Sequence, residues 1–198
     1  EVLGRASYEF KAKQVQLEGI ISGPLSDTLG GRIAIRGTKQ YDGYYRNEGG
    51  AQAYSTFDVA TNALNTTSAL PVSQDQPGEK ELLARATLKF TPSDDLTATL
   101  KYGFDFNRTR NSSWNNVNYR CATGFSTLRP ADRCGSNFVT RQVNIPVNIA
   151  ANFPFARQDG ELYNRYRSHT VSLNTNYEIG PITLSSVTNY NTNNNRWA

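Results

Sequence analysis

The sequence predicts an all-β protein, and more specifically the wall of an antiparallel transmembrane β-barrel. Three observations predict this fold. Apolar and polar residues alternate along several segments, short turns alternate with long polar connections, and the composition is polar, with 37% hydrophobic residues and a mean hydropathy of -0.59. A barrel has this composition because only every second strand residue faces lipid and its loops are solvated. The 11% aromatic content and the sustained alternation argue against disorder in the strand segments.

The clearest element is a hairpin over 79–107. Leu100, Tyr102 and Phe104 alternate with Lys101, Gly103 and Asp105 on its second arm, a period of two that is typical of a strand with one apolar face. The first arm alternates in the same way, and 92–95 (PSDD) joins the two arms. The apolar face needs a partner, which is a second sheet in a soluble sandwich and lipid in a transmembrane barrel.

The same criterion gives about seven strands. They cover 1–10, 14–22, 31–36, 82–91, 96–107, 167–179 and 182–190. Tight turns are predicted at 23–28, 92–95 and 180–181, and long loops at 37–78 and 108–163. Short turns at one end and long loops at the other are typical of an outer-membrane barrel, with its periplasmic turns and extracellular loops. The Asn-rich stretch 189–195 is expected to lie beyond the apolar band.

Aromatic residues lie near the ends of the predicted strands, as in the two interface girdles of a membrane barrel. Phe90 and Tyr177 precede short turns, whereas the long-loop end has Phe10, Tyr44, Phe104, Phe106 and Tyr166. The alternative is that these are ordinary aromatic residues of a sheet. His169, near the outer end of its strand, is interpreted as an interface residue rather than a ligand.

Several function classes are not expected. The net charge of +4, from 21 basic and 17 acidic residues, is too balanced to indicate nucleic-acid binding. The sequence contains no run of 18 apolar residues, so no transmembrane helix is predicted. Without a phosphate-binding loop, a Gly-x-Ser-x-Gly motif or a partner for the single histidine, we expect neither an enzyme nor a cofactor or metal site. The first residues lack the features of a signal peptide, so the chain is expected to be mature or cut from something longer.

Four stretches of the sequence resemble TonB-dependent outer-membrane receptors. They are 21–32 (ISGPLSDTLGGR), 42–47 (DGYYRN), 92–100 (PSDDLTATL) and 180–190 (GPITLSSVTNY). The resemblance covers about half of the chain, essentially its strands and short turns, and it identifies a family but not a substrate.

The resemblance implies a 22-stranded barrel with an N-terminal plug, in the outer membrane of a Gram-negative bacterium. Such receptors take up scarce ligands, typically ferric siderophores, cobalamin, sugars or haem, with energy delivered by contact with the TonB protein. The sequence departs from the family pattern because it contains no plug domain, no TonB-contacting segment and an odd number of strands. We therefore expect one part of the barrel wall, whose partners are membrane lipid, TonB through the plug region, and a small ligand.

The polar strand faces are then expected to line the lumen. The predicted lumen-facing residues are Arg32, Arg36, Arg85, Lys89, Lys101 and Asp105, together with Arg5, Glu9, Glu18 and Glu178. A lumen that is basic on balance attracts anionic ligands such as ferric chelates, although the charges also have the simpler interpretation of pairing with the plug and one another.

The loop residues predicted to bind the ligand are aromatic or amide-bearing. They are Tyr41, Tyr44, Tyr45, Trp114, Asn115, Asn116, Tyr119 and Arg120. Cys121 and Cys134 lie in the second long loop, and a disulfide between them is expected in an oxidising exterior.

Two other functions remain open. A small barrel serving as an adhesin or structural protein would have an eighth strand in 138–145. A soluble β-sandwich carbohydrate-binding module would bury Leu100, Phe104 and Phe106 against another sheet.

Overall fold

The computed structural model describes residues 1–73, 75–111, 121–127, 133–134 and 138–197. The described chain is all-β apart from one four-residue helix, α1, at Val147–Ala150. In chain order the strands are β1 Val2–Glu9, β2 Gln14–Ser26, β3 Leu29–Gln40, β4 Tyr45–Asn47, β5 Gln52–Asp58, β6 Ala63–Ala69, β7 Asp75–Gln76, β8 Gly78–Ser93, β9 Leu96–Arg110, β10 Val139–Thr140, β11 Tyr163–Ile179 and β12 Ile182–Trp197.

Seven of these strands form one antiparallel sheet in the order β1-β2-β3-β8-β9-β11-β12. They correspond one to one with the seven strands predicted from sequence alternation. The described parts of the two edge strands, β1 and β12, each pair with one neighbour, so the sheet is open. None of the helical residues in the described part of the chain has the length and hydropathy of a membrane-spanning helix.

The strands are longer than predicted. β2 and β8 continue past their bulges, between Pro24 and Ser26 and between Phe90 and Ser93, so that only two residues remain in each of the following turns. At the other end β3 extends to Gln40 and β9 to Arg110. The loss of apolar alternation there had suggested loops, but the backbone hydrogen bonds of the ladder continue where the side chains on both faces become polar.

The Asn-rich stretch 189–195 is also regular strand. Its side chains bond across the ladder, as in the 2.7 Å bond that Asn191 Nδ2 donates to Thr170 Oγ1. β12 therefore pairs with β11 from Ile182 to Trp197.

The register divides the sheet into two chemically different faces. Residues paired across an antiparallel ladder lie on the same face. One row runs Gly31, Leu88, Leu100, Leu173 and Thr188, and the neighbouring row on the opposite face runs Arg32, Thr87, Lys101, Ser172 and Asn189. We call these the apolar face and the polar face. Tyr166 pairs with Asn107, which puts it on the polar face and excludes it from an aromatic girdle on the apolar one.

The apolar face is more exposed than the polar face, which is the reverse of the arrangement in a soluble protein with an apolar core. On the polar face Thr38 and Ser168 are each 7% exposed. On the apolar face Leu17 is 58%, Ile33 50% and Leu173 43% exposed. The polar face is thus the more crowded one, and the apolar side chains stand open to their surroundings.

The long connections are partly folded. β10, β4 and β7 form a three-stranded sheet, in which β10 runs parallel to β4, and β5 and β6 form a hairpin. The eighth sheet strand considered for 138–145 is not formed, because its β10 segment pairs with β4 and not with the seven-stranded sheet. Both long connections leave the same end of the large sheet, which we call the loop end. We call the small sheet of β4, β7 and β10, with the chain that packs around it, the loop cap.

Candidate functional site

A groove of about 610 Å³ lies along the polar face. Its charged lining comes from neighbouring strands, and small polar side chains complete it on β11. The charged lining residues are Glu18, Arg36, Arg85, Lys101 and Asp105, and the hydroxyl-bearing ones are Ser168, Thr170 and Ser172. Three cations against two carboxylates leave the groove basic on balance.

The structure brings the predicted lumen residues to one face. Arg36, Arg85, Lys101 and Asp105 line the groove itself. Arg32 shares that face but lies nearer the short turns, because it pairs with Thr87, and Lys89 lies nearer still, opposite Gly30. The predicted companions Arg5, Glu9, Glu18 and Glu178 are on the same face.

Part of this charge is paired within the sheet. Arg36 donates to Glu81 at 2.9 Å, and Arg5 lies 3.6 Å from Glu18 on the neighbouring strands. Among the described residues, Arg85 and Lys101 have no carboxylate within ion-pair distance. These two cations are therefore the ones that the groove offers to an anionic ligand.

Several buried polar atoms of the polar face lack a protein partner in the described part of the chain. They include Arg36 Nε, Thr38 Oγ1 and Asn174 Oδ1. Buried polar groups are normally hydrogen-bonded, so these atoms are expected to bond to water.

The loop cap closes around the side chain of Asn47, which is 6% exposed. Its Nδ2 donates to the carbonyls of Val72 and Gln142 at 3.1 and 3.0 Å. Its Oδ1 accepts from the backbone N–H groups of Gln142 and Gly49 at 2.8 and 3.2 Å. One amide thus joins both long connections, which sequence reasoning had treated as separate loops.

The three tyrosines predicted to bind a ligand have different surroundings. Tyr41 lies under Lys39 Nζ, 4.1 Å from the ring centroid. Burial raises the pKa of Tyr44, and the nearby carboxylate of Glu9 raises it further. Tyr45 packs against Phe138 with ring centroids 5.6 Å apart, so it belongs to the small sheet of the loop cap. Trp114, Asn115, Asn116, Tyr119 and Arg120 lie outside the described residues.

Cys121 and Cys134 form a disulfide, with Cα atoms 5.9 Å apart and a sequence separation of 13. Gly124 connects the two backbone segments, since its N–H donates to Cys121 O and its carbonyl accepts from Cys134 N–H. The disulfide and these two bonds therefore connect 121–124 to Cys134 within the second long connection.

A second cavity, of about 400 Å³, lies at the loop end and was not predicted from the sequence. Its basic lining residues are Lys39, Lys80, Arg108, Arg110 and Arg157. Glu161 lies 3.7 Å from Arg110 and 3.1 Å from Arg157. Arg157 also donates to Asp159 and lowers the pKa of that carboxyl to about 2. No local motif marks this cavity, because its residues come from four separate stretches of sequence.

The described residues contain no group of three or more potential metal ligands. His169 lies on the apolar face, where its Nδ1 is 2.8 Å from Tyr102 Oη and its ring centroid is 5.1 Å from that of Phe104. His169 is therefore part of an aromatic cluster with Tyr102 and Phe104.

Comparison of the chain with models of known protein families, with curated proteins and with solved structures finds no match in any of the three.

Proposed function

We propose that the chain is part of the barrel wall of an outer-membrane, TonB-dependent receptor that takes up a scarce ligand such as a ferric siderophore, cobalamin or a saccharide. The observation that carries the proposal is the apolar face. From Leu29 to Gly37 on β3, and on the paired rows of β8, β9 and β12, it carries no charged side chain. On β11 the apolar face has one charged side chain in these rows, that of Arg167, which lies in the row nearest the loop end.

The height of this band suits a membrane. Lys39, the first basic residue of the apolar face above the band on β3, is ten positions after Leu29. At about 3.3 Å per residue and a strand tilt of about 45°, these positions rise by roughly 23 Å. The apolar band of outer-membrane barrels is about 25 Å tall.

The arrangement of the polar groups fits uptake. The basic groove lies on the face opposite the apolar band, and the loop cap stands at one end of it. Arg85 and Lys101 attract anionic solutes, as ferric chelates often are. The TonB contact belongs to the plug domain that such receptors carry.

The two alternatives make different demands on the molecule. A soluble sandwich needs a second sheet over Leu100 and Phe104, but none of the described residues forms one there. A small adhesin or structural barrel shares the membrane-facing band and differs in lacking ligand transport. Only a transport measurement separates it from a receptor.

Arginine substitutions on the two faces test the membrane assignment. Leu100→Arg and Leu173→Arg alter a directly paired position in the middle of the apolar band. Each should cost about 2–4 kcal/mol if that face contacts lipid. Thr99→Arg and Asn174→Arg alter the adjacent pair on the polar face and serve as matched controls. Folding is followed by the amount of protein that inserts into lipid vesicles. If all four variants insert equally well, the membrane assignment is wrong.

Uptake is tested in cells with a radiolabelled ferric chelate, cobalamin and an oligosaccharide. A receptor of this class accumulates one of them, and accumulation stops when TonB is absent. Replacing Arg85 and Lys101 with Gln should weaken binding of an anionic ligand without affecting insertion. Insertion without accumulation of any ligand in the panel would favour the adhesin or structural barrel.

A further inference from the structure

Five basic residues form one continuous row across five adjacent strands of the sheet. Each pairs directly with the next, on the apolar face and just beyond the apolar band. In strand order the row is Lys39, Lys80, Arg108, Arg165 and Arg196. Neighbouring strands are about 4.8 Å apart, so the row is about 19 Å long. We call it the basic row.

Such a row is unfavourable by itself, because like charges directly opposite one another repel. Among the described residues, one carboxylate lies within ion-pair distance of the basic row, that of Glu161 at 3.8 Å from Arg108. Glu161 also contacts Arg110 and Arg157. Lys39 lies over the Tyr41 ring, and Arg196 lies 5.4 Å over the Phe155 ring and donates to Asn194. One shared carboxylate does not neutralise five cations.

The neighbours of the row indicate where the missing negative charge lies. The next row toward the short turns contains Leu82, Phe106 and Arg167, and the row after it contains Phe104 and His169. On β8 and β9, Lys80 and Arg108 thus follow directly on an apolar and an aromatic side chain. A bilayer has the same sequence of environments, since anionic headgroups follow the hydrocarbon.

We infer that the basic row binds the phosphate-bearing headgroups of anionic lipids at the loop end of the apolar band. The inference rests on the proposed function, because it requires that the apolar face contact lipid. The cavity of about 400 Å³, which Lys39, Lys80 and Arg108 help to line, provides room for headgroup oxygens beside the row.

Spin-labelled lipids test the inference. The protein is placed in phosphatidylcholine bilayers that contain traces of spin-labelled phosphatidylcholine or phosphatidylglycerol, and the motionally restricted fraction of each is measured. Restricted phosphatidylcholine reports insertion, and the ratio of the two association constants reports selectivity. We expect the native protein to prefer phosphatidylglycerol at least about five-fold, the effect of roughly one basic side chain near an anionic surface.

The test variant combines Lys80→Gln with Arg165→Gln, which have no ion-pair partner among the described residues. The control combines Lys89→Gln with Arg32→Gln, the same change of charge on the polar face. The preference should disappear in the test variant and persist in the control. If the test variant does not insert, the single change Lys39→Gln, at an exposed position of the row, must lower the preference.

Three results overturn the inference. Equal restriction of the two lipids by the native protein refutes headgroup binding and leaves the proposed function intact. A preference that survives in the test variant assigns selectivity to other residues. If neither lipid is restricted, the proposed function itself fails, and the inference fails with it.

Discussion

Replacing Asn47 with Ala should open the loop cap without unfolding the large sheet. The substitution removes four hydrogen bonds and leaves the N–H of Gln142 and the carbonyl of Val72 without their partner, whereas the carbonyl of Gln142 still accepts from the N–H of Val72. At about 1 kcal/mol net for each bond, the cost is roughly 3–4 kcal/mol. Each 1.4 kcal/mol changes an equilibrium constant about tenfold, so the open population should rise by a factor of a few hundred.

Hydrogen exchange measured by mass spectrometry is the appropriate assay, because it resolves local opening from global unfolding. Amides of Val72 and Gln142 should lose protection in Asn47→Ala, whereas those in the middle of β9 should not change. Asn65→Ala is the control, since Asn65 is exposed in the β5–β6 hairpin and its backbone carbonyl, which the substitution keeps, accepts from Thr56 Oγ1. Equal exchange in the two variants, or simultaneous loss of protection in β9, would refute the assignment of Asn47 as the residue that holds the cap together.

Two further predictions concern the second long connection. Gly160 has φ +73°, and a Cβ there would lie 1.9 Å from Ile145 O, whereas Gly124 has φ +76° and open space around it. Gly124→Ala should therefore cost only about 1 kcal/mol of backbone strain, and Gly160→Ala clearly more. The larger cost should appear as faster proteolysis near α1 in Gly160→Ala than in Gly124→Ala. Similar proteolysis rates in the two variants would contradict the close contact between Gly160 and Ile145. Asp159, with its pKa lowered to about 2 from an ordinary 3.8, stabilises this segment fully above about pH 4 and progressively less as the pH falls toward 2. A carboxyl NMR titration of the native protein checks this, with Asp159→Asn to assign the signal. A titration midpoint at the ordinary value would contradict the interaction of Asp159 with Arg157.

The large sheet was predictable because its signal is local. Alternation along β9 fixes which residues share a face, and a slip of one residue would exchange Leu100 with Lys101. The strand ends were less predictable. Around Gln40 and Arg110 both faces are polar, so alternation no longer distinguishes strand from loop. Tyr166 was misassigned for a related reason, since tyrosine suits either face of a sheet.

The loop cap and the basic row were not predictable, because neither has a local signal. Asn47 and Gln142 are 95 residues apart, and nothing near either of them indicates the other. The basic row takes one residue from each of five strands, so it becomes visible only when the register is known. The groove residues are an intermediate case. Alternation predicted their common face, but the neighbours of each, such as Glu81 beside Arg36, depend on the pairing of β3 with β8.

The contact of Asn47 with Gln142 also has a consequence for the order of folding. Six strands of the described chain lie between these residues, and they include the β5–β6 hairpin and the β8–β9 hairpin. The entropy cost of closing so long a loop is reduced once the β8–β9 hairpin has brought the two connections to one end of the sheet. The cap should consequently form last. Protection of the Gln142 amide during refolding then reports that this part of the sheet is already assembled.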